Sequence, residues 1–122
     1  MTISCYLTIR TQHHGQVTVV QLQGELDLSN VASLRQVMDS ILEERSPHTL
    51  MMDLSRLSFA DCSSLPVLVS AHTRLAEQGH KLIIMDTQPL VRRLLAVTGL
   101  DTFLHLCDSG AHQDDPEMNP ST

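Results

Sequence analysis

Rings are scarce in this chain of 122 residues, which has no Trp, one Tyr and two Phe. Readers of single-stranded nucleic acid need stacking rings, and readers of duplexes need a basic face. The second is missing too, because 14 acidic residues outnumber 8 basic ones and leave a formal charge of −6 with His neutral. Nucleic acid is therefore not an expected partner, and an acidic chain is repelled by anionic membrane surfaces. No segment approaches the roughly 20 apolar residues of a membrane span, and no apolar run follows the first Met as in a secretory leader. The three cysteines, Cys5, Cys62 and Cys107, form neither a Cys-x-x-Cys pair nor an even set for disulfides. Together these absences predict a reduced, cytoplasmic protein without membrane contact. The seven His are scattered with no pair at i, i+4, so no metal is expected. No Gly-rich phosphate loop appears, so no nucleotide or other cofactor is expected.

What is present is an aliphatic chain, 42% apolar, long enough for one domain. Residues 5–12 alternate as a strand, "HHGQ" offers a Gly turn, and 17–24 alternate again, so a hairpin is predicted. Ser29 or Asn30 can cap the helix that follows, whose stripe is Val31, Leu34, Met38, Ile41 and Leu42. Ser46 and Pro47 end it. A strand at 49–55 precedes a second helical stripe of Leu65, Leu68, Val69, His72, Leu75 and Ala76, stopped by Gly79. Residues 81–86 read as a strand apolar on both faces, as in a buried parallel sheet. Pro89 opens a third helix with Leu90, Val91, Leu94 and Leu95; Gly99 closes it, and 102–107 form a last strand. Helices alternating with strands predict an α/β fold: a mixed sheet with an N-terminal antiparallel hairpin, then parallel strands with right-handed crossovers. The domain is expected over 3–107, and 108–122, polar and acidic with little to bury, as a disordered tail.

The stretch "FADCSSLP" carries the chemistry. In a parallel sheet it falls at the carboxyl end of a strand, where α/β proteins hold their sites. Phe59 and Ala60 are expected to finish the buried part, and Asp61, Cys62, Ser63 and Ser64 to form an exposed turn. Pro66 is tolerated only in a first helical turn, which places the cap near Cys62 or Ser63. Three readings stand open: plain capping, a Cys62 nucleophile at a helix start, and a phosphorylation switch in which a dianion is added to an anion-favouring site. The nucleophile lacks the flanking glycines of a nucleophile elbow and a base at a supporting signature.

Three segments, "VVQLQGELDLSNVASLRQ", "LMMDLSRLSFADCSSLPVLVSAH" and "PLVRRLLAVTGLDTFLHL", stand in the order and spacing of a known family. Over about residues 15–107 the chain resembles the STAS family, specifically its single-domain bacterial anti-sigma factor antagonists. The resemblance implies a non-enzymatic protein whose partner is an anti-sigma factor, often a Ser/Thr kinase of the histidine-kinase ATPase fold. Binding frees a sigma factor; phosphorylation of the antagonist by the kinase breaks the complex, and a Ser/Thr phosphatase restores it. The family motif is Asp-Ser-Ser/Thr-Gly-Leu. Here Asp61 and Leu65 match, Cys62 stands at the usual phosphoacceptor, Ser63 matches the second hydroxyl, and Ser64 replaces Gly. A thiol is no substrate for an ordinary Ser/Thr kinase, so the acceptor expected is Ser63, ahead of Ser64, unless the chain escapes that control. The resemblance also makes Asp27 a partner contact beside Asp61, Cys62, Ser63 and Ser64; its local alternative is a carboxylate serving the next helix. Gly24 is expected to need only a turn conformation, and Arg92 and Arg93 to lie on a solvated face, with partner contact as the alternative. Two other functions remain open: a thiol-based redox regulator acting through Cys62, and a scaffold subunit of a larger stress-signalling complex.

Overall fold

The computed structural model describes residues 2–4, 6–44 and 47–109. Its elements in chain order are strands β1 (Thr2–Ser4), β2 (Leu7–His14) and β3 (Val17–Leu26), helix α1 (Val31–Glu44) and strand β4 (Thr49–Ala60). A 3₁₀ turn (Cys62–Ser64) leads into helix α2 (Leu65–Ala76), then β5 (Lys81–Met85), α3 (Pro89–Val97), the short α4 (Leu100–Phe103) and β6 (His105–Cys107).

The hairpin forms as the alternation predicts, with Gly15 supplying the positive φ that a two-residue turn needs at its first position. Its first strand begins at Leu7 rather than at residue 5, because Tyr6 sits in the left-handed region at φ 63° and interrupts the extended chain. Cys5 lies outside the described residues. Ahead of it, β1 adds an antiparallel strand to β2 that three polar or β-branched residues did not announce.

The sheet order is β1-β2-β3-β4-β5-β6, with β3 to β6 parallel. Each crossover moves one strand further in the same direction. Right-handed crossovers stepping one way must place every helix on the same face. Burial agrees: Val20, Leu22, Leu50, Met52, Leu82 and Ile84 are buried in one cluster with Leu34 and Met38 of α1, Leu68 and Leu75 of α2, and Val91 and Leu95 of α3. Their neighbours Val19, Met51, Ile83 and Met85 point the other way and are half-buried. The expectation that β5 is buried on both faces is thus corrected, since one of its faces carries no helix.

Other differences have local causes. β4 continues to Ala60, but two register shifts in its pairing with β3 each leave an extra residue in β4, the first between the Asp53 and Arg56 pairs and the second, Ser58, between the Leu57 and Phe59 pairs. The bulge breaks the alternation, so Phe59 faces outward at 40% exposure and Ala60 is only half-buried, contrary to the expected buried end. In α2 the buried stripe is Val67, Leu68, Ala71 and Leu75; Leu65, Val69 and His72 are half-buried and Ala76 is exposed. The tighter 3₁₀ turn in front rotates the helix so that Ser64, not Leu65, begins the inward line. Leu90 is 61% exposed, leaving Val91 and Leu95 as the buried residues of α3. The last strand starts at His105, because Gly99 at φ 79° turns the chain and Leu104 N–H bonds the Leu100 carbonyl at 2.8 Å, winding one helical turn over residues 100–103.

Gly24 needs more than a turn. It lies inside β3 at φ 111°, and a Cβ there would stand 2.1 Å from the Tyr6 carbonyl oxygen. That carbonyl accepts Glu25 N–H at 2.7 Å, so the glycine lets two backbones meet below the loop that follows β3. Of the expected tail, Asp108 and Ser109 are described and held: Arg92 pairs with Asp108 at 2.6 Å, and Ser109 N–H bonds Asp86 at 2.5 Å. Residues 110–122, and the helix stop at Ser46, lie outside the described residues. Among the described residues no helix is long and apolar enough to cross a membrane, and no group of three or more His, Cys, Asp or Glu could hold a metal ion.

Candidate functional site

The loops after β3 and β4 leave the sheet side by side. Leu26 pairs with Ala60, and Asp61 N–H bonds the Leu26 carbonyl at 3.2 Å, so Asp27 and Asp61 begin adjacent turns at the carboxyl end of two parallel strands. The structure therefore brings together the two carboxylates that were expected to face a partner.

Both turns are built alike. Asp61 Oδ1 accepts the Ser63 N–H at 3.0 Å and also the Ser63 hydroxyl. Asp27 Oδ1 accepts the Ser29 N–H at 2.9 Å and the Ser29 hydroxyl at 2.5 Å. Each is an Asp-x-Ser turn in which one carboxylate oxygen closes the loop two residues on. The middle residues, Leu28 and Cys62, are held outward; Leu28 is 78% exposed and the Cys62 thiol is free and exposed. The Ser63 hydroxyl, opposed in part by burial, and then the N–H groups of Ser63 and Leu28 hold the Asp61 carboxyl below its ordinary value. The two turns are linked by the Asp61 N–H on the Leu26 carbonyl.

The cap of the 3₁₀ turn is Asp61, not Cys62 or Ser63 as the Pro66 argument placed it. A carboxylate one residue earlier satisfies the free N–H of Ser63, and the short 3₁₀ turn then fills the distance to the proline. Ser64 also departs from expectation. It is 1% exposed, its hydroxyl donates to the Asp61 carbonyl at 2.8 Å, and it cannot belong to the exposed turn or meet a partner or a kinase. Standing on the inward side of the turn, a small side chain fits there and its one donor finds an acceptor. Ser63 is half-buried, with its hydroxyl on Asp61. Cys62 is the outermost of the four.

In the first turn Asn30 stands immediately before Val31, at the expected cap position, and is buried. Its amide accepts the Asp27 N–H at 2.9 Å and donates to the Glu25 carbonyl at 2.9 Å, so it braces the loop from below. The Ser29 hydroxyl serves Asp27 instead of the helix. Sequence reasoning gave Ser29 no part in the site. The signal was the repeated Asp-x-Ser of 27–29 and 61–63, which means nothing until the sheet register sets the two side by side. Arg92 and Arg93 are both exposed as expected, and Arg92 also pairs with Asp108 and bonds Thr87 at 3.1 Å.

A profile of the STAS domain matches residues 8–111. An anti-sigma F factor antagonist of Paenibacillus polymyxa is 31% identical over 103 residues, covering 84% of this chain and 88% of that protein. An anti-sigma-B factor antagonist of Staphylococcus epidermidis is 28% identical over 100 residues, covering 82% and 92%. The crystal structure of an anti-sigma factor antagonist from Mycobacterium paratuberculosis superposes with a TM-score of 0.77 at 26% identity, covering 87% of this chain and 89% of that one.

Proposed function

The chain belongs to the STAS domain family, and we propose that it is an anti-sigma factor antagonist: a non-enzymatic cytoplasmic protein that binds an anti-sigma factor and so frees a sigma factor. The observation that carries this reading is the pair of joined Asp-x-Ser turns, which hold Asp27, Leu28, Asp61, Cys62 and Ser63 on one end of the sheet. Preformed turns hold this surface in one geometry, so a partner need not order it on docking. The anti-sigma factor that fits the family pattern is a Ser/Thr kinase of the histidine-kinase fold, with a Ser/Thr phosphatase to reverse its action.

Ser63 is the acceptor in this reading. A phosphate on its oxygen would remove the hydroxyl proton that Asp61 accepts and set a dianion against that carboxylate. The turn would open and the partner would meet added negative charge. Co-purification with an anti-sigma factor, abolished by Asp61→Lys in a protein that still folds, is the result expected. Unchanged binding in that variant would remove the proposed surface.

A further inference from the structure

We infer that Ser29 is a second phosphoacceptor, in the turn beside the one that carries Ser63; the inference rests on the partner-binding reading above. The local geometry of the two serines is the same. Each donates its hydroxyl and its N–H to one oxygen of an Asp two residues earlier, and each follows a residue turned outward. They differ in access. Ser29 is exposed, whereas Ser63 is half-buried against its own turn. A kinase that docks on this end of the sheet meets Leu28 at 78% exposure, with the Ser29 hydroxyl one residue further on. At the corresponding place in the second turn, the outermost side chain is the thiol of Cys62, which such a kinase does not phosphorylate.

In the transfer, Ser29 Oγ attacks the γ-phosphorus of the kinase's nucleoside triphosphate. The O–P bond forms as the bond to the β-phosphate oxygen breaks, and a nucleoside diphosphate leaves. The hydroxyl proton passes to Asp27 Oδ1, which already accepts it, and on to water. The product places a dianion beside Asp27 and near Asp61, whose N–H is bonded to the Leu26 carbonyl of the adjoining strand. Three acidic groups in adjoining turns repel each other, so the joint between the turns loosens along with the surface it presents.

The test maps phosphate by mass spectrometry on the full chain in two preparations. One is purified from its own cells with phosphatase inhibitors; the other is incubated with ATP and the anti-sigma kinase that co-purifies with it. Phosphate on Ser29 that persists in Ser63→Ala and vanishes in Ser29→Ala is the expected result. Ser29→Glu is expected to weaken the complex by about tenfold or more relative to Ser29→Ala, which loses the hydroxyl without adding charge. Phosphate confined to Ser63 overturns the inference and leaves the antagonist reading intact. So does a chain that binds the kinase yet takes no phosphate while the kinase modifies another antagonist. If the wild-type chain binds no anti-sigma factor, the antagonist reading falls, and the preparation from cells still decides Ser29 by the presence or absence of phosphate there.

Discussion

The two Asp-x-Ser turns share a pattern of hydrogen bonds but differ in what supports them from beneath. The second is fixed from within its own run: Ser64 is buried with its hydroxyl on the Asp61 carbonyl, and Pro66 sets the start of α2. The first has a similar local brace, the buried Asn30 amide three residues on, which bonds Asp27 and Glu25, and it adds a long-range support, the backbone contact that Gly24 permits with Tyr6. The lesson is that one local motif yields a half-buried serine or an exposed one according to what lies beneath it. Local hydrogen bonds close the turn, and the supports decide what it shows to solvent.

Breaking each part in turn should give a graded series. The largest effect is expected from Asp61→Lys, which reverses charge at the joint of the two turns; binding of the anti-sigma factor should fall by about 3 kcal/mol or more in calorimetry. Next, Gly24→Ala puts a Cβ onto the Tyr6 carbonyl at a φ that side chains rarely adopt. It should cost about 2 to 3 kcal/mol in urea unfolding. Asn30→Ala leaves the Asp27 N–H and the Glu25 carbonyl without this partner, and about 2 kcal/mol of stability should be lost with it. Ser64→Ala removes one buried hydroxyl whose acceptor keeps the Ser64 N–H at 3.1 Å, so about 1 kcal/mol is expected. Were Ser64→Ala to cost more than Asn30→Ala, the contrast in anchoring would be reversed.

The smallest effect is on acid stability. The Asp61 carboxyl is held below its ordinary value in the fold, so the unfolded chain takes up its proton first as pH falls. Its contribution is complete above the ordinary carboxylate pKa of about 4 and is lost as pH drops through the lower folded value. Replacing Asp61 by Asn should flatten that acid limb in unfolding titrations below about pH 4 and leave the neutral region without slope from this group.

Much of the scaffold was legible in the chain. Alternation in 5–12 and 17–24, the apolar run at 81–86, the helical stripes and the Gly stops at Gly79 and Gly99 led to the hairpin and the parallel strands that the structure has. The bulge at Ser58 was not legible, because register against β3 is a tertiary property; nor was the helical turn over 100–103, which depends on the conformation of Gly99. The one-sided placement of helices could have been deduced from crossover handedness, but apolar residues at Ile83 and Met85 suggested cover on both faces. At the site, Asp27 and Asp61 were named as partner contacts, and the structure sets their turns side by side. The cap identity, the burial of Ser64 and the part played by Ser29 were missed, because several side chains in each run could compete for the same N–H groups and only the packed chain selects among them.

If the two turns form one docking surface, amide hydrogen exchange of the chain with and without its anti-sigma factor reads it directly. Slowed exchange concentrated at residues 27–29 and 61–63 is the predicted outcome. Protection of the helix-free sheet face around Val19, Met51 and Ile83, with both turns exchanging as in the free protein, would contradict it.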